Sequence, residues 1–264
     1  MKLNLPLTLE SVSGKKANFH THTFRCQHAT GEDREYVEKA IEAGYEVLGF
    51  SDHIPHVFED DYVSGIRMTM GQMEGYITSI QNLKKEYAKD IDIYCGFEAE
   101  YFPCLFDRTM EQIFKYPLDY MILGQHFMET EIRPNYVGRY GQTEDTLKKY
   151  VDHVIEALDR INFLYVAHPD VIKYTDDLNI FNKHMLRLLQ ELKNRNIPVE
   201  INMAGYCDGR HYPGDHFLNL ALQNGNTFIM GVDAHAPEEL LDFESYYTLV
   251  SKVEKHGGVV INKL

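Results

Sequence analysis

His20 and His22 stand one residue apart at the end of a strand-like run, residues 17–23, and metal-type side chains keep arriving at the ends of later apolar runs. Asp52 and His53 follow Val47 to Phe50, Glu98 follows Ile93 to Phe97, His126 follows Met121 to Gly124, His168 follows Phe163 to Val166, and Asp233 and His235 follow Phe228 to Val232. Imidazole and carboxylate together suit Zn2+, Mn2+ or Fe2+. One ion needs roughly three or four ligands, so the set His20, His22, His28, His53, Glu98, His126, His168, Asp233 and His235 points to roughly two to three divalent ions. Clustered ions lower the pKa of a bound water and take up charge on phosphoryl oxygens, chemistry that needs no Ser, Cys or Asp nucleophile. Any one strand-end histidine is equally well a hydrogen-bonded rim group; recurrence at so many strand ends is what points to metal.

These residues meet only if the strand ends meet. Strand-like runs near 17–23, 47–53, 92–101, 120–127, 163–168, 197–204 and 227–233, with 258–262 as a possible eighth, alternate with helical periods. Helices are expected over 32–43, closed by Gly44, and over 69–89, 143–160 behind a Thr143 cap, 179–195, 215–224 and 238–256. Such alternation calls for a parallel sheet with right-handed crossovers, and seven or eight repeats favour closure into an α/β barrel whose strand C-termini share one face. Residues 54–71, 129–142 and 206–216 lack a clear period and read as loops over the barrel mouth. With no internal repeat or linker, residues 1–264 read as one domain.

A net charge of −14 argues against a nucleic-acid or anionic-membrane surface, although clustered cations reverse the local field and admit a small anionic substrate. The four cysteines form no CxxC pair and read as reduced thiols. No run is long enough for a signal or a span, so a soluble cytoplasmic protein, monomer or homodimer, is expected.

The segments His20-Thr21-His22, Ser51-Asp52-His53, Gly96-Phe97-Glu98, Gly124-Gln125-His126, Ala167-His168-Pro169-Asp170 and Gly231-Val232-Asp233-Ala234-His235 resemble, in order, the motifs of the PHP (polymerase and histidinol phosphatase) superfamily. The stretch from His20 to Gly31, the Gly124 to Phe127 stretch and the compact length are similar to its monofunctional histidinol-phosphate phosphatases. The resemblance implies a distorted TIM-like (β/α)7 barrel with a trinuclear centre, and a metal-dependent phosphomonoesterase producing histidinol and phosphate in histidine biosynthesis. It implies one ion on His20, His22, Glu98 and Asp233, a second on His126 and His168 bridged by Glu98, and a third on His28, His53 and His235. Glu98, Asp233 and Asp52 are then the catalytic carboxylates, Asp52 orienting a neighbouring imidazole rather than touching metal.

Basic residues on the mouth loops, Arg25, Arg67, Arg139, Lys173 and Arg210, are candidate phosphate clamps, with Lys173 and Arg210 favoured. The family pattern places an arginine soon after the sixth strand's Ala-Gly step; here Tyr206, Cys207, Asp208 and Gly209 intervene before Arg210. Asp60, Asp61 and Asp208 are candidates for a substrate ammonium. His56, His153, His184, His211, His216 and His256 read as solvated or capping groups, with His56 and His211 near enough to the mouth for substrate contact. Two alternatives stand beside this: a phosphoesterase for another small ester or a phosphoprotein, and a non-catalytic barrel stabilised by metal.

Overall fold

Parallel strands alternate with helices throughout the computed structural model, which describes residues 4–12, 14–59, 62–132 and 135–263; Asp60 and Asp61 lie outside the described residues. The strands are β1 (Ala17–Asn18), β2 (Val47–Phe50), β3 (Asp92–Ala99), β4 (Tyr120–Leu123), β5 (Val199–Asn202) and β6 (Phe228–Gly231). β1 to β4 pair in chain order, Val47 lying opposite Asp92 and Gly96 opposite Tyr120, while β5 pairs with β6. The expected strand 163–168 fills the gap between them. It bonds to β4 through Leu123 N to Tyr165 O (3.1 Å) and Ala167 N to Leu123 O (2.9 Å), and meets β5 at the isolated Val166–Val199 bridge.

The ring closes where Thr21 bridges Ala234, with His22 N donating to Ala234 O at 2.9 Å. At the opposite end the possible eighth strand contributes a single bridge, Val260 to Phe228, and a side chain in place of a ladder. Asn262 Nδ2 donates to Ala17 O (2.7 Å) and Met230 O (2.9 Å), and its Oδ1 accepts from Met230 N (2.8 Å). The result is the expected α/β class, a distorted parallel barrel.

Eight helices are described: α1 (Asp33–Glu42), α2 (Met70–Glu86), α3 (Phe106–Ile113), α4 (Glu144–Arg160), α5 (Leu178–Asn194), α6 (Met203–Cys207), α7 (Asp215–Asn224) and α8 (Phe243–Glu254). Their ends follow from local chemistry. Gly44, at φ 78°, takes the left-handed turn that stops α1, and Thr143 Oγ1 accepts from Thr146 N (3.2 Å) to start α4. Leu147, Val151, Val154 and Leu158 then recur every three or four residues and are buried. The helix expected over 238–256 is broken: a 3-10 turn at Pro237–Leu241 ends at Asp242, whose carboxylate accepts from Ser245 N (3.0 Å) and starts α8 afresh. Neither α3 nor α6 was expected. Among the described residues no helix is long and apolar enough to cross a membrane.

Candidate metal centre

All nine expected ligands gather at the C-terminal mouth of the barrel around one carboxylate. Glu98, at the end of β3, is 1% exposed. Its Oε1 lies 2.9 Å from His168 Nε2, 3.5 Å from His126 Nε2 and 3.8 Å from His20 Nε2; its Oε2 lies 2.8 Å from His53 Nδ1 and 3.7 Å from His22 Nε2. Asp233, after β6, brings Oδ1 to 2.9 Å from His22 Nε2 and 3.2 Å from His20 Nε2. On the other side the His235 ring stacks on His22 (centroids 4.2 Å apart) and on His28 (4.8 Å), while His53 lies 4.4 Å from His22.

The donor set fits divalent cations. Both Glu98 oxygens and the Nε2 atoms of His20 and His22 are buried without a hydrogen-bond partner among the described residues, a costly state for polar atoms that a cation relieves. Several rings are held by their other nitrogen, as metal-ligating imidazoles are. Nδ1 of His20 meets Glu200 Oε1 (2.7 Å), that of His28 meets Cys26 O (2.7 Å) and that of His235 meets Asp233 O (2.8 Å), so with the proton of the neutral ring on Nδ1 each Nε2 could face a cation. His22, His53 and His235 form one three-ligand group, His20, His22 and Glu98 another, and His20, His168 and Asp233 a third.

Electrostatics agree. Burial resists ionisation of Glu98, but the His126 and His53 imidazoles outweigh it and hold the carboxyl well below its usual range; Asp233 is held down likewise by His20 and His22. Burial lowers the His22 pKa, yet Asp233 and Asp52 overcome it and push the ring up to about 9. His235, buried beside His22, falls to about 3. Without metal, protons on His20 and His22 thus stand in for cations against the carboxylates.

Asp52 sits behind this shell. Its Oδ1 accepts from His53 N (2.7 Å) and lies 3.6 Å from His22 Nδ1, and its Oδ2 accepts from the Thr23 hydroxyl. Glu200, in the middle of β5, was missed by the sequence reading. Besides holding His20, its Oε2 accepts from His168 N (2.6 Å) and from Asn202 Nδ2 (3.1 Å), and Asn202 also donates to Asp233 Oδ2 (3.1 Å). The available signal was a glutamate inside a run expected to be a buried strand. Two glycines make these positions possible. A Cβ at Gly124 would overlap the Glu98 carboxylate, and one at Gly231 that of Glu200. His168 and Asp233 turn at φ 29° and 57°, left-handed values that non-glycine residues tolerate only where the surroundings hold them.

The centre floors a cavity of about 560 Å3. Of the expected phosphate contacts only Arg210 lines it, donating to Asp208 (3.0 and 2.8 Å) and to Tyr212 Oη (3.1 Å). Arg25 must be corrected. The 3-10 turn Phe24–Cys26 sends it away from the cavity into a two-pronged pair with Asp33 (2.7 and 2.9 Å) beside the Phe24 and Tyr76 rings. Lys173 is corrected too, its ammonium lying 3.4 Å from the centre of the Tyr140 ring and off the cavity lining. Arg67 is buried in ion pairs with Glu100 and Glu131. His56 and His184, expected to be solvated or capping groups, are buried, and neither His56 nor His211 lines the cavity.

A parallel barrel with buried imidazoles and carboxylates at its strand ends defines a metal-dependent enzyme of the barrel-mouth kind. The chain belongs to the PHP domain family, which matches residues 18–204. It is 30% identical over 229 residues to a probable histidinol-phosphatase of Deinococcus radiodurans, covering 84% of this chain and 86% of that protein. To the histidinol-phosphatase of Bacillus subtilis it is 24% identical over 252 residues, covering 84% and 94%. Its fold matches that of the Lactococcus lactis histidinol phosphate phosphatase crystallised with zinc, L-histidinol and phosphate, with a TM-score of 0.71 at 20% identity over 94% of this chain and 95% of that one.

Proposed function

We propose that residues 1–264 act as one domain, a metal-dependent phosphatase that hydrolyses histidinol phosphate to histidinol and phosphate. The observation that carries this is the buried Glu98 carboxylate, with five imidazoles within 4 Å and neither oxygen hydrogen-bonded among the described residues; the identity to the Deinococcus protein supports the substrate. His20, His22, Glu98 and Asp233 would hold one ion, His126 and His168 a second shared through Glu98, and His28, His53 and His235 a third, for two to three of Zn, Mn or Fe. When bound, such ions activate water and neutralise phosphoryl charge.

The chain's own groups do the rest. Glu200 and Asp52 fix the imidazoles, and the apolar barrel beneath excludes solvent from the carboxylates. Arg210 grips the phosphate from the rim, and Asp208 beside it faces the substrate ammonium. The test is a phosphatase screen with metal content measured on the same preparation. Histidinol phosphate should exceed sugar phosphates, nucleotides and p-nitrophenyl phosphate in kcat/KM by about tenfold or more. A faster alternative ester would remove the substrate assignment and leave the phosphatase; metal-replete protein that cleaves none of them would leave a metal-stabilised barrel.

A further inference from the structure

Arg67, on the mouth segment between β2 and α2, is among the largest fully buried side chains in the protein, 1% exposed. Its guanidinium uses three edges. Nη2 donates to Glu100 Oε2 (2.7 Å), Nε to Glu131, and Nη1 to Ile54 O (3.1 Å). The two carboxylates are anchored on their far sides. Glu100 Oε1 accepts from His126 N (2.7 Å) and Phe127 N (2.6 Å), while Glu131 Oε2 accepts from the Ser64 hydroxyl. The backbone of the same segment is clipped to the loop bearing His28, because Gln27 Nε2 donates to Ser64 O (2.8 Å) and Arg67 O (3.1 Å). Gly65 and Ile66, between those carbonyls, form part of the cavity wall.

Buried charge of this sort is expensive unless every lone pair and proton is used, and a buried ion-pair group is seldom needed for stability alone. It does join three things: the wall of the cavity, the 131 loop, and the peptide that carries His126. We propose that Arg67 is a positioning residue, setting through Glu100 where His126 stands against Glu98 and holding Ser64 to Arg67, whose Gly65 and Ile66 line it, at the cavity wall. The inference rests on the metallo-phosphatase reading. Lysine cannot replace it, since a single ammonium lacks the planar fork that meets three acceptors in different directions.

The test compares Arg67→Lys, Glu100→Gln and Glu131→Gln in the full chain after reconstitution with zinc or manganese. Bound metal, resistance to a chelator, melting temperature of the metal-free protein and p-nitrophenyl phosphate kinetics are read on each. Arg67→Lys and Glu100→Gln should lose close to one ion per chain, or give it up to chelator about tenfold more readily, with kcat falling and partly restored by excess metal. Glu131→Gln leaves Glu100 and the peptide that carries His126 in place, so it should keep its metal and speed proteolysis within 62–67. Wild-type metal retention and kcat in Arg67→Lys would overturn the proposal, as would a lowered melting temperature with metal content and kcat unchanged. If the wild-type protein cleaves no ester, the function reading fails while the metal measurements still decide the role of Arg67.

Discussion

Glu98 is the residue on which the most contacts depend, because its two oxygens face different imidazoles: His168, His126 and His20 on one, His53 and His22 on the other. Glu98→Gln keeps the shape and removes the charge, so it should lower kcat by several orders of magnitude and reduce bound metal by more than one ion. Near-normal turnover with full metal content would show that Glu98 is no bridge, and Glu100 is no substitute, since its oxygens are taken by Arg67 and two backbone N–H groups. Glu200 makes a second case. Its Oε1 accepts from His20 and its Oε2 from His168 N and Asn202, so all its partners are donors and an amide NH2 has nowhere to point. Glu200→Gln should therefore weaken metal binding or activity by about 10- to 100-fold, as loss of a partner behind a ligand does; unchanged chelator resistance would count against it. The cluster of candidate ligands was legible because strand ends announce themselves as the last residues of apolar runs. Glu200 was not, because nothing in Val199-Glu200-Ile201 says that an imidazole lies across the barrel to meet it. Arg25 misled for a related reason: spacing places a residue on a turn, but the turn's geometry decides which way its side chain leaves.

At the scale of elements, periodicity served where an element had a long apolar face. α4 and α5 bury theirs as the three- and four-residue spacing required. Short elements carry too few periods: α6 has five residues and α3 eight, and both lay in segments without a readable repeat. The 163–168 and 258–262 runs were seen as strands, yet side-chain and single-bridge contacts do much of their pairing. What the strands do for the site is bring backbones close. β3 and β4 lie side by side, and Gly124, just past the end of β4, leaves the space that Glu98 fills. Gly124→Ala should cost about 1–3 kcal/mol of stability by overpacking and displace the Glu98 carboxylate, lowering metal content as well as melting temperature. A variant that melts lower but binds metal as wild type does would mean that the strand pair yields and the carboxylate does not.

For the whole molecule, the charge balance bears on stability. The chain carries −14 overall, and four of its carboxylates, Glu98, Asp233, Glu200 and Glu100, are buried at its centre, where water cannot solvate them. In the metal-free state Glu98, Asp233 and Glu200 lean on protonated His20 and His22, and His22 keeps its proton up to about pH 9, while Glu100 is held by Arg67. Cations bound in the folded state and absent from the unfolded one add stability by mass action, about 4 kcal/mol for an ion present at a thousand times its Kd. For a chain of this size each kcal/mol moves the melting temperature by about 2–4 °C, so stripping the ions should lower it by about 10 °C or more. Readdition of zinc or manganese should restore it. The loss should concentrate at the barrel mouth, so hydrogen exchange should speed at the ends of β3 and β6 before the packed faces of α4 and α5 respond. Melting curves that coincide with and without chelator, on protein shown to have lost its metal, would mean that the imidazole protons compensate the carboxylates fully and that the ions serve chemistry alone.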